Sequence, residues 1–455
     1  MQSINPATGE IIAEYPVLQA AELEAALAAS QAAFELWRER PLAERLQPLR
    51  RAAELLRAQA DPLARRMAEE MGKPLAEGRA EAEKCAWLCE YYAENAAAFL
   101  APEPVATDAA RSYVAYRPLG PILGIMPWNF PLWQAFRFAV PAIAAGNTAL
   151  VKHAPGTTGC GLAIEALLAE AGLPPGVYRN LLLEIEQVGP LIEDPRLRGV
   201  SLTGSTRAGR AVAAQAGAAL KPSVLELGGS DPSLILEDAD LEAAAAQCLA
   251  GRLLNGGQSC IAAKRFIVVE PVRARFEALL LERLSRVRMG DPLDATTTLG
   301  PIARADLRDN LHRQVRQSVA AGARCLLGGV LPDGPGFYYP ASLLTDVKPG
   351  MPAYEEELFG PVAVLIPAAD EAEAIRMAND TAYGLGAAVY TADRARGEAI
   401  ARDQLEAGAA FVNAFVRSDP RLPFGGVKDS GWGRELGQAG IRSFVNVKTV
   451  YLAGD

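Results

Sequence analysis

Four short segments carry side chains able to do chemistry. Cys260 closes Gly256-Gly257-Gln258-Ser259-Cys260. A Gly-Gly turn followed by small polar residues allows close backbone approach and leaves a thiol exposed. A thiolate beside backbone N–H groups has a lowered pKa and is a strong nucleophile; a lone cysteine also serves as a small buried hydrophobe. Glu226 ends an apolar run before Leu227-Gly228-Gly229. A carboxylate there is awkward to bury. It is either an ion pair or cap, or a general base raised by apolar surroundings. Asn129 sits in Pro127-Trp128-Asn129-Phe130-Pro131. Held between prolines and aromatics, its amide either donates to a developing oxyanion or closes an Asx-turn. Thr203-Gly204-Ser205-Thr206-Arg207-Ala208-Gly209 reads as a strand-to-helix junction. Its glycines free a helix N-terminus to meet a phosphate, although it is not the GxGxxG fingerprint.

Other chemistries have less to work with. His153 and His312 are the two histidines, with no cysteine pair nearby. No metal site is therefore expected, and a catalytic base is expected to be a carboxylate. The six cysteines (85, 89, 160, 248, 260, 325) show no disulfide or zinc spacing, which suits a reducing cytoplasm. Cys85 and Cys89, four apart on a helix, read as packing. Arg137 interrupts the apolar helix Trp133-Gln134-Ala135-Phe136-Arg137-Phe138. An arginine there is costly unless it meets an anion, either a protein carboxylate or a substrate.

The elements that must position these groups follow from composition and periodicity. The chain has 455 residues, half of them hydrophobic and 22% charged, which is ordinary globular composition. Lys plus Arg total 45 against 54 Asp plus Glu, a net charge of −9, which argues against a nucleic-acid backbone binder. The first residues have neither a basic nor an apolar leader region, so no signal peptide is expected. The most apolar stretch, 119–151, carries Arg137 and four prolines and reads as core, not as a membrane span. Residues 20–38 and 41–100 have helical spacing, with breaks expected near Pro62 and Pro74. From about 112, short apolar runs (121–126, 148–152, 177–183, 200–203, 224–227) alternate with helical stretches. That texture predicts βαβ units and a mostly parallel sheet, with ligands beyond the carboxyl ends of its strands. After a hinge at Gly228-Gly229 the pattern restarts as a second α/β lobe. The tail 443–452 is alternating and β-prone, and a strand so late in a chain is expected to pair outside its own lobe.

In order along the chain, these segments resemble the aldehyde dehydrogenase superfamily. Asn5-Pro6-Ala7-Thr8-Gly9-Glu10, Pro127-Trp128-Asn129, Gly204-Ser205-Thr206, Glu226-Leu227-Gly228-Gly229 and Gly257-Gln258-Ser259-Cys260 are similar to its motifs. So are Glu356-Glu357-Leu358-Phe359-Gly360-Pro361 and Pro423-Phe424-Gly425-Gly426-Val427-Lys428-Asp429-Ser430-Gly431. The chain looks most like the compact bacterial succinate-semialdehyde dehydrogenase branch. The resemblance implies an α/β fold of two Rossmann-like lobes plus a small β oligomerisation arm. Residues 1–111 and 119–227 would form the dinucleotide-binding domain and 228–436 the catalytic domain. Residues 112–118 and 437–455 would form the arm of a homodimer or homotetramer.

It further implies that Cys260 attacks an aldehyde, that Asn129 and the Cys260 N–H hold the oxyanion, and that Glu226 activates the water that releases the acid. NAD or NADP would lie against Trp128, Lys152, Gly204, Ser205, Glu357 and Phe359. In many NAD-preferring members an acid stands three residues after the lysine; here it is Pro155, so a 2′-phosphate would meet no repelling carboxylate. Arg137, with Trp133 and Ser418, would receive the distal carboxylate of succinate semialdehyde. A second arginine found in some members is missing, and Arg421 is a candidate replacement. The alternatives are an NAD(P)-dependent dehydrogenase of uncharged aliphatic or aromatic aldehydes, and, more remotely, a cofactor-independent thiol hydrolase.

Overall fold

The computed structural model describes residues 1–454. Asp455, the last residue of the expected arm, lies outside the described residues. Two parallel-rich sheets carry the alternating strands. In the first, Tyr178–Asn180, Thr148–His153, Pro121–Met126, Gly199–Thr203 and Ser223–Glu226 run parallel in that spatial order. Gly431–Trp432 then adds antiparallel to Ser223–Glu226. In the second, Ser342–Thr345, Val362–Ala368, Ala263–Val269, Asp231–Ile235, Gly386–Tyr390 and Ala409–Val412 are parallel. Arg324–Leu327 caps that edge antiparallel. Thr148–His153 and Ala263–Val269 are buried along their whole length, as expected of parallel strands covered on both faces.

The helical N-terminal segment packs on the first sheet. Its helices are Ala20–Trp37, Leu42–Ala58, Ala60–Met71 and Leu75–Phe99. The break expected at Pro62 falls at Gln59 instead. Pro62 lies in the first turn of its helix, where its missing N–H has no intrahelical acceptor. Leu75–Phe99 is the central helix of this layer, with Cys85 and Cys89 fully buried in its packing face.

Gly228 and Gly229 stand where the chain leaves the first sheet at Glu226 and enters the second at Asp231. The strand Asp231–Ile235 itself was not legible, because Asp-Pro-Ser reads as a turn. It is nevertheless a central strand, and its pairing with Ala263–Val269 shifts register between Asp231 and Pro232. The edge strands Arg324–Leu327 and Ser342–Thr345 and the N-terminal hairpin Gln2–Ile4 with Ile11–Glu14 also lay outside the periodicity reading. Val445–Leu452 pairs antiparallel with Arg111–Pro118 along its full length, and Glu103–Pro104 lies on the far side. Its outer edge has no partner strand among the described residues, and Val447, Tyr451 and Leu452 are exposed. Among the described residues, no helix is long and apolar enough to cross a membrane.

Asp231 is buried, and one of its oxygens accepts from the Gly386 N–H at 3.1 Å. Burial pushes its carboxyl up to about 7, with Lys264 pulling the other way. A folded-state pKa above the unfolded value means stability is lost as pH rises from the unfolded value through about 7. Asp231→Asn is therefore expected to be more stable than wild type at pH 8, by a few kcal/mol, since each tenfold gain in proton affinity is worth ~1.4 kcal/mol. The gain should shrink toward zero near pH 4; urea denaturation at both ends of this range checks it.

Candidate active site

Three consecutive left-handed residues build the loop that presents the thiol: Asn255 (φ 57°), Gly256 (φ 61°) and Gly257 (φ 75°). A Cβ on Gly257 would overlap the backbone of Gly360, so only glycine fits there. Arg252, fully buried, donates to the Gly257 carbonyl at 2.7 Å. Lys264 donates to the Ser259 and Cys260 carbonyls at 2.9 and 2.7 Å, and its ammonium lies 3.2 Å from Glu357. Cys260 is thus fixed and partly exposed on a cavity wall. The expectation of a lowered thiol pKa is not met in this structure. Burial pushes the Cys260 thiol up to about 12, outweighing the pull of Arg137 and Lys264.

Asn129 is locked from both ends. Its Oδ1 accepts from Gln134 at 3.2 Å, and its Nδ2 donates to the Gln258 carbonyl at 2.9 Å. The amide orientation is therefore set and its second N–H stays free. The Cys260 backbone N–H likewise has no acceptor among the described residues. Asn255 ties this together. It donates to the Asn129 carbonyl at 2.7 Å and the Gln258 carbonyl at 3.0 Å, while its N–H reaches Glu77 at 2.7 Å.

Glu226 is 1% exposed, and neither carboxylate oxygen has a hydrogen-bond partner among the described residues. Burial first, then the neighbouring Glu435, push its pKa well above the carboxylate range. It lies against Gly425 and outside the cavity lining. Arg137 pairs with Glu435, donates to Thr203 at 3.1 Å and sits 4.8 Å over the Phe424 ring. Both readings of Arg137 keep support, because it holds a protein carboxylate and also lines the Cys260 cavity.

That cavity has a volume of about 150 Å³ and is lined by Cys260, Trp133, Arg137, Ser418, Phe424 and Lys84, among others. Lys84 was missed in the sequence. Its ammonium donates to Ser418 at 2.7 Å and sits 4.2 Å over the Trp133 ring. Glu77, Glu81 and Lys84 share one face of their helix at i, i+4 and i+7, a stripe that reads as solvent-facing until the packing is known. Glu435 and Asn255 carried no local signal either. Arg421 does not substitute for the missing arginine: it pairs with Asp419 at 2.7 Å, stacks over Trp87, and lies outside the cavity lining.

The second group of sequence candidates lies at the carboxyl ends of the first sheet. Lys152 is nearly buried with no ion-pair partner among the described residues, and burial lowers its pKa. Pro155, in the turn that follows, is exposed. Gly204 and the N-cap Ser205 open the helix Thr206–Ala218; Ser205 takes the Ala208 N–H at 3.3 Å. A Cβ on Gly204 would touch only Leu202. Trp128 and Phe359 meet edge to face at 5.7 Å, both half-buried, and Glu357 accepts from the Gly229 N–H at 3.1 Å. A buried cation without an ion-pair partner and a helix N-terminus, both at carboxyl ends of strands of one sheet, fit a phosphate-bearing dinucleotide.

Two parallel-rich sheets around a glycine-elbow cysteine are the arrangement of one class of oxidoreductase, and the chain belongs to the aldehyde dehydrogenase family, whose model matches residues 1–450. It is 48% identical to a succinate semialdehyde dehydrogenase (NAD(P)+) of Escherichia coli strain K12, over 99% of this chain and 97% of that one. It is 46% identical to succinate-semialdehyde dehydrogenase (NADP+) 1 of Mycobacterium tuberculosis strain H37Rv, over 99% of each chain. The succinic semialdehyde dehydrogenase of Streptococcus pyogenes, solved in complex with NADP+, superposes with a TM-score of 0.97 at 36% identity, covering 100% of both chains.

The raised thiol pKa is directly measurable. Alkylation of Cys260 by iodoacetamide is expected to rise roughly tenfold per pH unit from 7 to 10 without a plateau, because the thiolate is the nucleophile. Arg137→Ala should slow it at every pH, since Arg137 is the first of the charges that lower this pKa. Mass spectrometry of the labelled peptide checks both.

Proposed function

We propose that the protein oxidises succinate semialdehyde to succinate with NADP or NAD. The observation that carries this reading is the cavity that places the Cys260 thiol and the cationic groups around Ser418 on one wall system. One end suits an aldehyde carbon and the other a carboxylate. The named relatives point to the same substrate.

In this reading the Cys260 thiol gives its proton to water and adds as the thiolate to the aldehyde carbon, and the carbonyl electron pair moves to oxygen. The free N–H of Asn129 and the Cys260 N–H donate to that oxygen. NAD or NADP, when bound, would supply the acceptor for the hydride lost from the C–H bond of that carbon, leaving Cys260 as a thioester. Glu226 then takes a proton from water, the water oxygen attacks the thioester carbon, and the C–S bond breaks to release the acid. A carboxyl raised by burial is a stronger base than an exposed one. Glu226 has no hydrogen bond to give up, and in this reading it turns from Gly425 toward the Cys260 cavity to reach the water.

Lys152, Gly204, Ser205, Glu357, Trp128 and Phe359 would hold the dinucleotide. Pro155, where an acid would repel a 2′-phosphate, favours acceptance of NADP. We assign residues 1–111 and 119–227 to cofactor binding, 228–436 to catalysis, and 112–118 with 437–455 to assembly as a homodimer or homotetramer in the cytoplasm. An unpartnered strand edge at Val445–Leu452 supports the last of these.

The test follows reduced cofactor at 340 nm with succinate semialdehyde, butanal and benzaldehyde, each with NAD and NADP. Succinate semialdehyde should have the highest kcat/KM of the three aldehydes. A higher kcat/KM for butanal or benzaldehyde overturns the substrate. Glu226→Gln should form about one equivalent of reduced cofactor per site in a burst and then turn over ~100-fold more slowly. Stopped-flow absorbance separates the two phases.

A further inference from the structure

Among the cations lining the aldehyde cavity, Arg137 is already committed. It is paired with Glu435 and bound to Thr203. A compensated pair presents little net charge to an incoming anion. Arg417 also lines the cavity but is exposed, where solvent and salt screen it. Lys84 differs from both. Its ammonium has no carboxylate within ion-pair distance among the described residues. Its polar contact is the Ser418 hydroxyl at 2.7 Å, and its flank rests on the Trp133 ring.

The carboxylates nearby are occupied. One oxygen of Glu81 accepts from the Leu132 and Trp133 N–H groups, both at 2.9 Å, and the other pairs with Lys73. Glu77 accepts from Asn255. Asp419 pairs with Arg421. The Lys84 ammonium, with three donors and one used, is left with capacity for an anion. Ser418 accepts from Lys84 and so has its own O–H to give. Consistent with a cation lacking its counterion, Lys84 is pulled down to about 8 by burial and then by Arg137.

We propose that Lys84, together with the Ser418 hydroxyl it orients, is the carboxylate-selecting residue of the aldehyde pocket. Arg137 is the compensated neighbour that shapes the site. This rests on the reading of the substrate as an ω-carboxy aldehyde, and adds to it the group that carries the selecting charge.

The experiment measures kcat/KM for succinate semialdehyde and for butanal, with saturating NADP, in wild type, Lys84→Met, Lys84→Gln and Lys84→Arg. Circular dichroism and stoichiometric alkylation of Cys260 verify each fold. In Lys84→Met the ratio of the two values is expected to fall roughly 30-fold, carried by KM for the semialdehyde. Inhibition by succinate should weaken in parallel. Lys84→Arg, which keeps the charge, should retain the ratio to within about threefold. Lys84→Gln supplies the same comparison if Lys84→Met does not fold. A wild-type preference that survives in both neutral variants overturns the role of Lys84 and leaves the substrate reading standing. A wild type without that preference overturns both.

Discussion

Gly257 runs so close to the backbone of Gly360 that no side chain fits between them, and much of the site depends on that approach. The contact joins the cysteine loop to the segment carrying Glu357 and Phe359. Three left-handed residues in a row are costly unless their surroundings over-determine them. Here Arg252 clamps the Gly257 carbonyl, Lys264 clamps the two carbonyls beyond it, and Asn255 binds the loop to the Asn129 turn. The nucleophile and its oxyanion donors are positioned by one hydrogen-bonded unit, not by separate loops.

The second constraint is electrostatic. Glu226, Glu435 and Arg137 are all buried within one neighbourhood, giving two carboxylates and one guanidinium. Such an arrangement costs stability unless one carboxyl holds a proton. Glu435 takes the arginine, while Glu226 has no hydrogen-bond partner among the described residues, so burial and Glu435 together raise its affinity for a proton. Removing Arg137 would therefore disturb the base as well as the pocket, which makes charge-preserving comparisons at Lys84 the cleaner probe of recognition.

How far the sequence could be read depended on whether a feature was local. Most helices and strands from 121 to 227 and from 241 to 412 followed from periodicity, because burial on parallel sheets imposes it; the edge strands Arg324–Leu327 and Ser342–Thr345 did not. The crossing between sheets at Gly228-Gly229 was visible for the same reason. Asp231–Ile235 was not, since its strand character comes from neighbours on both sides that override a turn-like spelling. Cys260, Glu226 and Asn129 stood out because each sits in a short rigid motif. Lys84 and Glu435 did not: their meaning comes from partners such as Ser418 and Arg137, far away in the chain. Arg421 was a wrong expectation of the same kind, since the adjacent Asp419 captures it.

The helix Leu75–Phe99 has a further consequence. Through Glu77 it holds the cysteine loop, through Glu81 it caps the helix carrying Arg137, and through Lys84 it reaches Ser418 on the cavity wall. Glu77 and Lys84 are seven residues apart, about 10.5 Å at ~1.5 Å per residue. The axial spacing between these two anchor residues is thus set by a continuous helix. A shift of this one helix would therefore move the cysteine loop, the start of the Arg137 helix and the Lys84 ammonium together.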